Sequence, residues 1–302
     1  MNVQFSHCYL FHHESAGQQN SSQSVAQVLP ILASQYQTVI SKKTSSPEEL
    51  IEQIVSITNT DAIYLLGGDG TLHQAIQALQ HVDSLPPIGI LPGGTCNDFS
   101  RVLSIPQTLE KATEALINGR IESFDLAKAN SSYFLNFAGL GFITHASDGI
   151  EETKKEKLGK ISYFLSAIKT MKESETFSGK LTIDDQVIEF EAAMILVMNG
   201  FSIGTHTFPV STISPQDGEL DIFVFPTTSI GTVLKWIQLG YKDSTNSFQE
   251  DRSILHLKGE NVSILTNESL SVDMDGEIHE ETPLTIQLQK ASISLIVPST
   301  YQ

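Results

Sequence analysis

Residues 62–71 read Ala62-Ile63-Tyr64-Leu65-Leu66-Gly67-Gly68-Asp69-Gly70-Thr71. An apolar run hands over to a glycine-rich turn, and the turn to a stretch that can open a helix. Three glycines let the backbone bend sharply and come close to a ligand, because no Cβ stands in the way. A helix starting at Thr71 and running to about Leu79 aims its free N–H groups and positive dipole end back at the turn. Such a junction holds phosphate. Its one charged residue is an acid, Asp69, which would repel phosphate unless it holds a metal ion or orients a nucleophile. The turn therefore predicts metal-assisted chemistry on a nucleotide. The plain alternative is that Asp69 only caps the helix.

A second loop repeats the logic. Gly89-Ile90-Leu91 is strand-like, Pro92-Gly93-Gly94 turns, and Thr95-Cys96-Asn97-Asp98 opens the next segment. Loops at the carboxyl ends of neighbouring parallel strands lie side by side, so Asp69 and Asp98 are expected to face one crevice. One glycine-rich turn is often only a turn. Two of them, each with an acid directly after a strand, point to phosphate. Around them, residues 5–11 and 38–41 read as strands. Helices are expected over 24–36, over 47–57 with Ser46 as N-cap, and from Thr108 to a stop at Gly119. This alternation predicts a parallel sheet covered by helices.

From about residue 121 the pattern changes to short strands: 124–129, 133–138, 180–183, 187–198, 220–225, 253–257, 262–265, 270–273, 284–288 and 292–297. Turn signals separate them at Asp184-Asp185, Asp217-Gly218 and Asp275-Gly276. Helices are expected near 160–171 and 230–239. The expected organisation is an α/β domain over residues 1–122, to which the last strand, about 290–302, returns, and a β-rich sandwich over 123–289.

Composition narrows the function classes. A formal net charge of −17 argues against broad nucleic-acid binding, which needs a basic surface. It also disfavours unaided adsorption to an anionic membrane. The longest clean apolar run, 192–198, is far short of the roughly 20 residues of a spanning helix. No signal peptide is expected, because the first residues carry no basic region and no apolar core. Cys8 and Cys96 show no metal-ligand spacing, so two reduced thiols and a cytoplasmic setting are expected. The densest basic run, Lys154-Lys155-Glu156-Lys157-Leu158-Gly159-Lys160, continues with Lys169 and Lys172. It reads either as an amphipathic helix for an anionic membrane or as a solvated helix face.

Leu66-Gly67-Gly68-Asp69-Gly70-Thr71-Leu72 together with Leu91-Pro92-Gly93-Gly94-Thr95-Cys96-Asn97-Asp98-Phe99 resembles the diacylglycerol kinase catalytic-domain family, and within it the bacterial soluble lipid kinases of the DgkB and YegS type. The resemblance runs nearly end to end. It includes Lys157-Leu158-Gly159-Lys160-Ile161-Ser162-Tyr163-Phe164, Ser214-Pro215-Gln216-Asp217-Gly218-Glu219-Leu220-Asp221 and Val272-Asp273-Met274-Asp275-Gly276-Glu277. The first loop alone also occurs in NAD kinases and resembles the phosphofructokinase loop. The Pro92 loop is what separates the lipid kinases.

The resemblance implies an NAD kinase/phosphofructokinase-like nucleotide domain, a lipid-binding sandwich, ATP and Mg²⁺ as cofactors, and a reaction in the cleft between the domains. It implies Glu277 as general base, with Asp275 orienting it or sharing a metal, and Asp69 as a catalytic residue. Asp69 and Asp98 would hold the catalytic Mg²⁺. Nucleotide contacts would come from Ser15, Gly17, Ser41, Gly67, Gly68, Asp69, Gly70, Thr71, Gly94, Thr95, Asn97 and Asp98. A second, structural Mg²⁺ would use the Asp217 carboxylate and the carbonyls of Ser214 and Glu219; the alternative there is a plain turn. The implied activity is ATP-dependent phosphorylation of a lipid hydroxyl at the membrane surface, by default diacylglycerol to phosphatidic acid in phospholipid biosynthesis. An open sandwich edge could pair in a homodimer.

Three departures stand out. The family's Asn-Pro-x-Ser/Ala-Gly loop is here His13-Glu14-Ser15-Ala16-Gly17, residues 18–28 carry no Lys or Arg, and His73-Gln74 stands where Asn-Glu is common. Two other readings stay open: a kinase of a soluble substrate such as NAD, and a non-catalytic lipid- or nucleotide-binding regulatory homologue.

Overall fold

A computed structural model describes residues 6–13, 21–58, 60–141, 176–203, 206–229, 231–233 and 251–301. The chain divides into one unit of Met1–Phe124 with Ala291–Gln302, and a second of Asp125–Lys290.

The first unit alternates β1 (His7–His13), α1 (Ser21–Leu32), β2 (Thr38–Thr44), α2 (Pro47–Val55), β3 (Ala62–Gly67), α3 (Asp69–Ile76), β4 (Ile88–Pro92), α4 (Asp98–Val102) and α5 (Leu109–Ile117). Its sheet runs β2-β1-β3-β4, all parallel, and the last strand of the chain joins beside β4 with Leu295 opposite Ile88. Every residue of β3 and β4 is buried, which is why both read as unbroken apolar runs rather than alternating ones. The helices pair off, α1 with α5 and α2 with α3. Ser46 caps α2, accepting the Glu49 N–H at 3.2 Å. Chain order reverses between β1 and β3, so the carboxyl ends of these strands flank the switch point where such sheets bind ligands.

The chain enters the second unit within β5 (Arg120–Ala129). It continues through β6 (Ser132–Phe134), β7 (Phe137–Gly141), β8 (Phe177–Ile183), β9 (Gln186–Ala192), β10 (Met194–Met198), β11 (Ser202–Ile203), β12 (His206–Thr207), β13 (Leu220–Phe225), β14 (Leu255–Gly259), β15 (Asn261–Thr266), β16 (Ser271–Met274), β17 (Glu277–Glu281) and β18 (Leu284–Val297). One antiparallel sheet runs β14-β13-β10-β7-β16-β17. The other layer pairs the start of β18 with β15, β8 and β9. Leu181, Val262, Ile264 and Ile286 from that layer pack on Leu140, Ile195, Val197 and Ile222 of the six-stranded sheet, giving a sandwich core. The opposite face of the six-stranded sheet is also apolar: Leu196, Met198, Phe223 and Phe225 join Phe208 in a second cluster. Among the described residues no helix is long and apolar enough to cross a membrane.

The α/β-plus-sandwich class matches the expectation; several elements differ from it. α3 starts at Asp69, two residues before Thr71, because Gly68 already serves as its N-cap. The run 187–198 is two strands, broken at Ala193, whose N–H turns to the Phe225 carbonyl. Residues 133–138 likewise split into β6 and β7, whereas 284–288 and 292–297 merge into β18, with Ala291 at φ 48° absorbing the irregularity. β17 was not expected; its Glu-rich sequence hides a strand built by pairing with β16. The helix expected near 160–171 lies outside the described residues, as does residue 234 onward of that near 230–239.

Candidate active site

The two glycine loops touch backbone to backbone. Gly93 N–H donates to the Gly67 carbonyl at 2.8 Å. A Cβ on Gly68 would lie 3.0 Å from the Gly94 Cα. Only glycine permits this approach, so the sequence places it on both sides. Thr71 and Leu72 N–H groups turn back onto the Gly68 carbonyl. The N–H groups ahead of them, at Asp69 and Gly70, belong to the helix start, whose first donors find no partner within the helix itself. Gly67 packs under the Thr71 side chain, where a Cβ would meet Oγ1.

Asn97 holds its own loop. It sits at φ 53°, its Oδ1 accepts the Gly94 N–H at 2.9 Å, and its Nδ2 donates to the Gly94 carbonyl at 3.0 Å. The structure thus gives Asn97 a loop-shaping job. Thr95 is exposed at the loop tip, and Asp98 is buried in the first turn of α4. Asp69 Oδ1 accepts the Phe99 N–H at 3.1 Å, which ties the first acid to the residue next to the second. Carboxylate oxygens beside the backbone N–H groups of a helix start suit a hard cation and phosphate. Among the described residues no three His, Cys, Asp or Glu side chains gather into a metal cluster. A cation here would take its remaining ligands from phosphate and water, as Mg²⁺ commonly does.

In the second unit, Asp275-Gly276 is the two-residue turn of the β16–β17 hairpin, with φ 54° and 93°. Positive φ at both positions is what an Asp-Gly hairpin turn requires. Asp275 spends both carboxylate oxygens on backbone: Oδ2 accepts from Leu135 N–H at 2.9 Å, and Oδ1 from Asn136 at 2.9 Å and Phe137 at 3.0 Å. Its own N–H donates to the Phe137 carbonyl. Asp273 Oδ1 takes the Gly276 N–H at 2.8 Å. Glu277 follows at the mouth of the hairpin, half-buried, and among the described residues its carboxylate has no hydrogen bond or ion pair. One acid is consumed in holding the turn, and its neighbour is left free to accept a proton.

At the 214–219 turn, the Ser214 carbonyl accepts the Asp217 N–H, and Asp217 Oδ1 accepts the Glu219 N–H at 3.1 Å. Gly218 N–H donates to the buried Asp125. The remaining Asp217 oxygen and the Glu219 carboxylate both face the Lys258 ammonium. Burial alone would push that ammonium down, but the neighbouring Asp221 and Asp217 outweigh it and raise it above its ordinary range. The ammonium thus takes the remaining oxygen of Asp217, the one side-chain ligand expected for a divalent ion at this turn.

Not every expected residue joins a site. Ser41 sits mid-strand in β2 opposite Leu10, exposed and three residues before the strand ends. Ser15, Gly17 and the basic run 154–172 lie outside the described residues. Sequence reasoning missed Asp125, Asp221 and Lys258, whose meeting depends on strand register. It also missed Asn199, fully buried, with Nδ2 donating to the Asp125 and Leu135 carbonyls and Oδ1 without a partner among the described residues. The one available signal was a polar residue ending the apolar run 192–198.

Comparison with known proteins bears on this geometry. A family model described as the diacylglycerol kinase catalytic domain matches residues 7–129, and one described as the YegS C-terminal NAD kinase beta sandwich-like domain matches 140–297. A Staphylococcus aureus (strain JH9) protein named "Putative lipid kinase" is 35% identical over 302 residues, 98% of each chain. A crystal structure of "a putative diacylglycerol kinase" from Bacillus anthracis (strain Sterne) superposes with a TM-score of 0.87 at 33% identity, covering 100% of both chains. Another from the same source, described as "diacylglycerol kinases", gives 0.85 at 32% identity over 98% of each.

Proposed function

The chain belongs to the diacylglycerol kinase catalytic-domain family, and on that premise we propose that it transfers the γ-phosphoryl group of ATP to a lipid hydroxyl, with diacylglycerol as the default acceptor and phosphatidic acid as product. The observation that carries this reading is the Asp275–Glu277 pair: Asp275 accepts from three backbone N–H groups, and the carboxylate of Glu277, two residues on, has no hydrogen bond or ion pair among the described residues.

Glu277 accepts the hydroxyl proton as the lipid oxygen bonds to the γ-phosphorus and the bond from that phosphorus to the β,γ-bridging oxygen breaks, releasing ADP; positioned carboxylates fill this role in general acid–base catalysis. Asp275 is a positioning residue: it fixes the turn from which Glu277 projects. The N–H groups around Gly68 and Gly70 would cradle phosphate, and Asp69 and Asp98 would hold the metal. Mg²⁺-ATP, when bound, supplies the phosphoryl group and neutralises its charge. The protein acts in the cytoplasm and meets its lipid at a membrane surface.

The test is transfer of label from [γ-³²P]ATP to total membrane lipid, with Glu277→Gln as control. Labelled phosphatidic acid from the wild type and a deep loss in the variant are expected. Equal labelling by both proteins removes Glu277 as base. Turnover of NAD without turnover of lipid overturns the proposal.

A further inference from the structure

Lys258 stands directly across from Asp221 in the β13–β14 ladder. Facing residues on antiparallel strands put their side chains on one face, and so does the residue two positions along. Register therefore sets Lys258 among Asp221, Glu219 and the adjoining turn. Its Nζ lies 3.2 Å from Asp217 Oδ2, 3.4 Å from Glu219 Oε2 and 3.4 Å from Asp221 Oδ2.

Asp221 is 1% exposed, and a carboxylate so buried is costly without a partner. It has two: Lys258, and His256 Nε2–H at 2.5 Å, whose ring stacks on Phe223. The other side of the turn is closed as well. The stem of Lys290 lies against Gly218, where a Cβ would meet Cε at 3.1 Å, and its ammonium pairs with Glu260 at 2.7 Å. An ion bound to Asp217 would sit beside the like charge of Lys258, which lowers its affinity.

We propose that the Lys258 ammonium is a built-in cation that takes the place of a divalent ion at the 214–219 turn, so that this turn binds no Mg²⁺. The chain carries its own counter-charge there.

The test follows thermal unfolding of the full chain in EDTA and in millimolar MgCl₂. The Mg²⁺-induced shift in Tm is expected to be the same in the wild type and in Asp217→Asn. A wild-type shift that Asp217→Asn abolishes overturns the proposal, because an ion is then bound at Asp217 beside Lys258. Lys258→Met is expected to melt about 2–4 °C lower in EDTA and to regain stability in Mg²⁺, with Asp217→Asn cancelling the recovery. Should Lys258→Met not fold, Lys258→Arg serves: retention of the wild-type Tm supports a role for the charge, and loss of it assigns the site to shape alone. Neither ATP nor lipid enters the measurement, so its failure and the failure of the kinase assignment are separate results.

Discussion

A Cβ placed on Gly94 would stand 2.5 Å from the Cα of Gly68, and 3.0 Å from Asn97 Oδ1. The two glycine loops are thus a single object, two strand ends locked together without side chains between them. Whatever one loop binds, the other shapes.

Gly94→Ala forces these backbones apart. Overpacking of this kind costs about 1–3 kcal/mol, and the displaced N–H groups should lower kcat/KM as well. Urea unfolding and ATP turnover check the two effects. Gly231→Ala is the control, since a Cβ there meets nothing within 4 Å among the described residues. Equal behaviour of the two variants would show that the loops do not need their close approach.

Asp275 and Glu277 should separate cleanly by readout. Glu277→Gln is expected to keep the wild-type Tm while activity falls about 10²–10⁴-fold. Asp275→Ala strands the N–H groups of Leu135, Asn136 and Phe137, and unsatisfied buried donors cost about 1–3 kcal/mol each at most. Calorimetry should show a clear fall in Tm for Asp275→Ala. An unchanged Tm would mean that the hairpin does not depend on those bonds.

The two cysteines should differ in reactivity. Cys8 is fully buried, and burial, with the charge of Asp61, pushes its thiol up to about 12. Thiolate is the reactive form, so Cys8 should ignore a thiol reagent near neutral pH. Cys96, partly exposed in the second glycine loop, should react. One thiol titrating in the native protein and two after unfolding is the expected result with Ellman's reagent; two native thiols would contradict it.

Alkaline pH should weaken the first unit. Tyr36 and Tyr64 share a hydrogen bond at 3.0 Å. Burial pushes Tyr36 up to about 12 and Tyr64 well above its ordinary 10.0. A group raised in the folded state ionises first in the unfolded chain, so its stabilising contribution is complete below the unfolded value and is lost as pH rises toward the folded one. Unfolding by urea should therefore become easier from about pH 10 to pH 12, with a shallower slope in Tyr36→Phe.

What the sequence determined by itself were the features encoded over a few neighbouring residues. The apolar run 62–66 with its glycines specified strand, turn and helix, because a doubly covered parallel strand must be apolar throughout and a tight loop must lack Cβ atoms. Asp275-Gly276 specified a hairpin turn for the same kind of local reason. Only the tertiary structure decided which partners the acids meet. Nothing near Asp275 in sequence announces the three N–H groups at Leu135, Asn136 and Phe137 that consume it and leave Glu277 free. Nothing near Asp217 announces Lys258. Those partners are brought in by strand register between distant segments, and a carboxylate's role is set by which charge or donor stands within hydrogen-bonding distance, a quantity that no local pattern of residues contains.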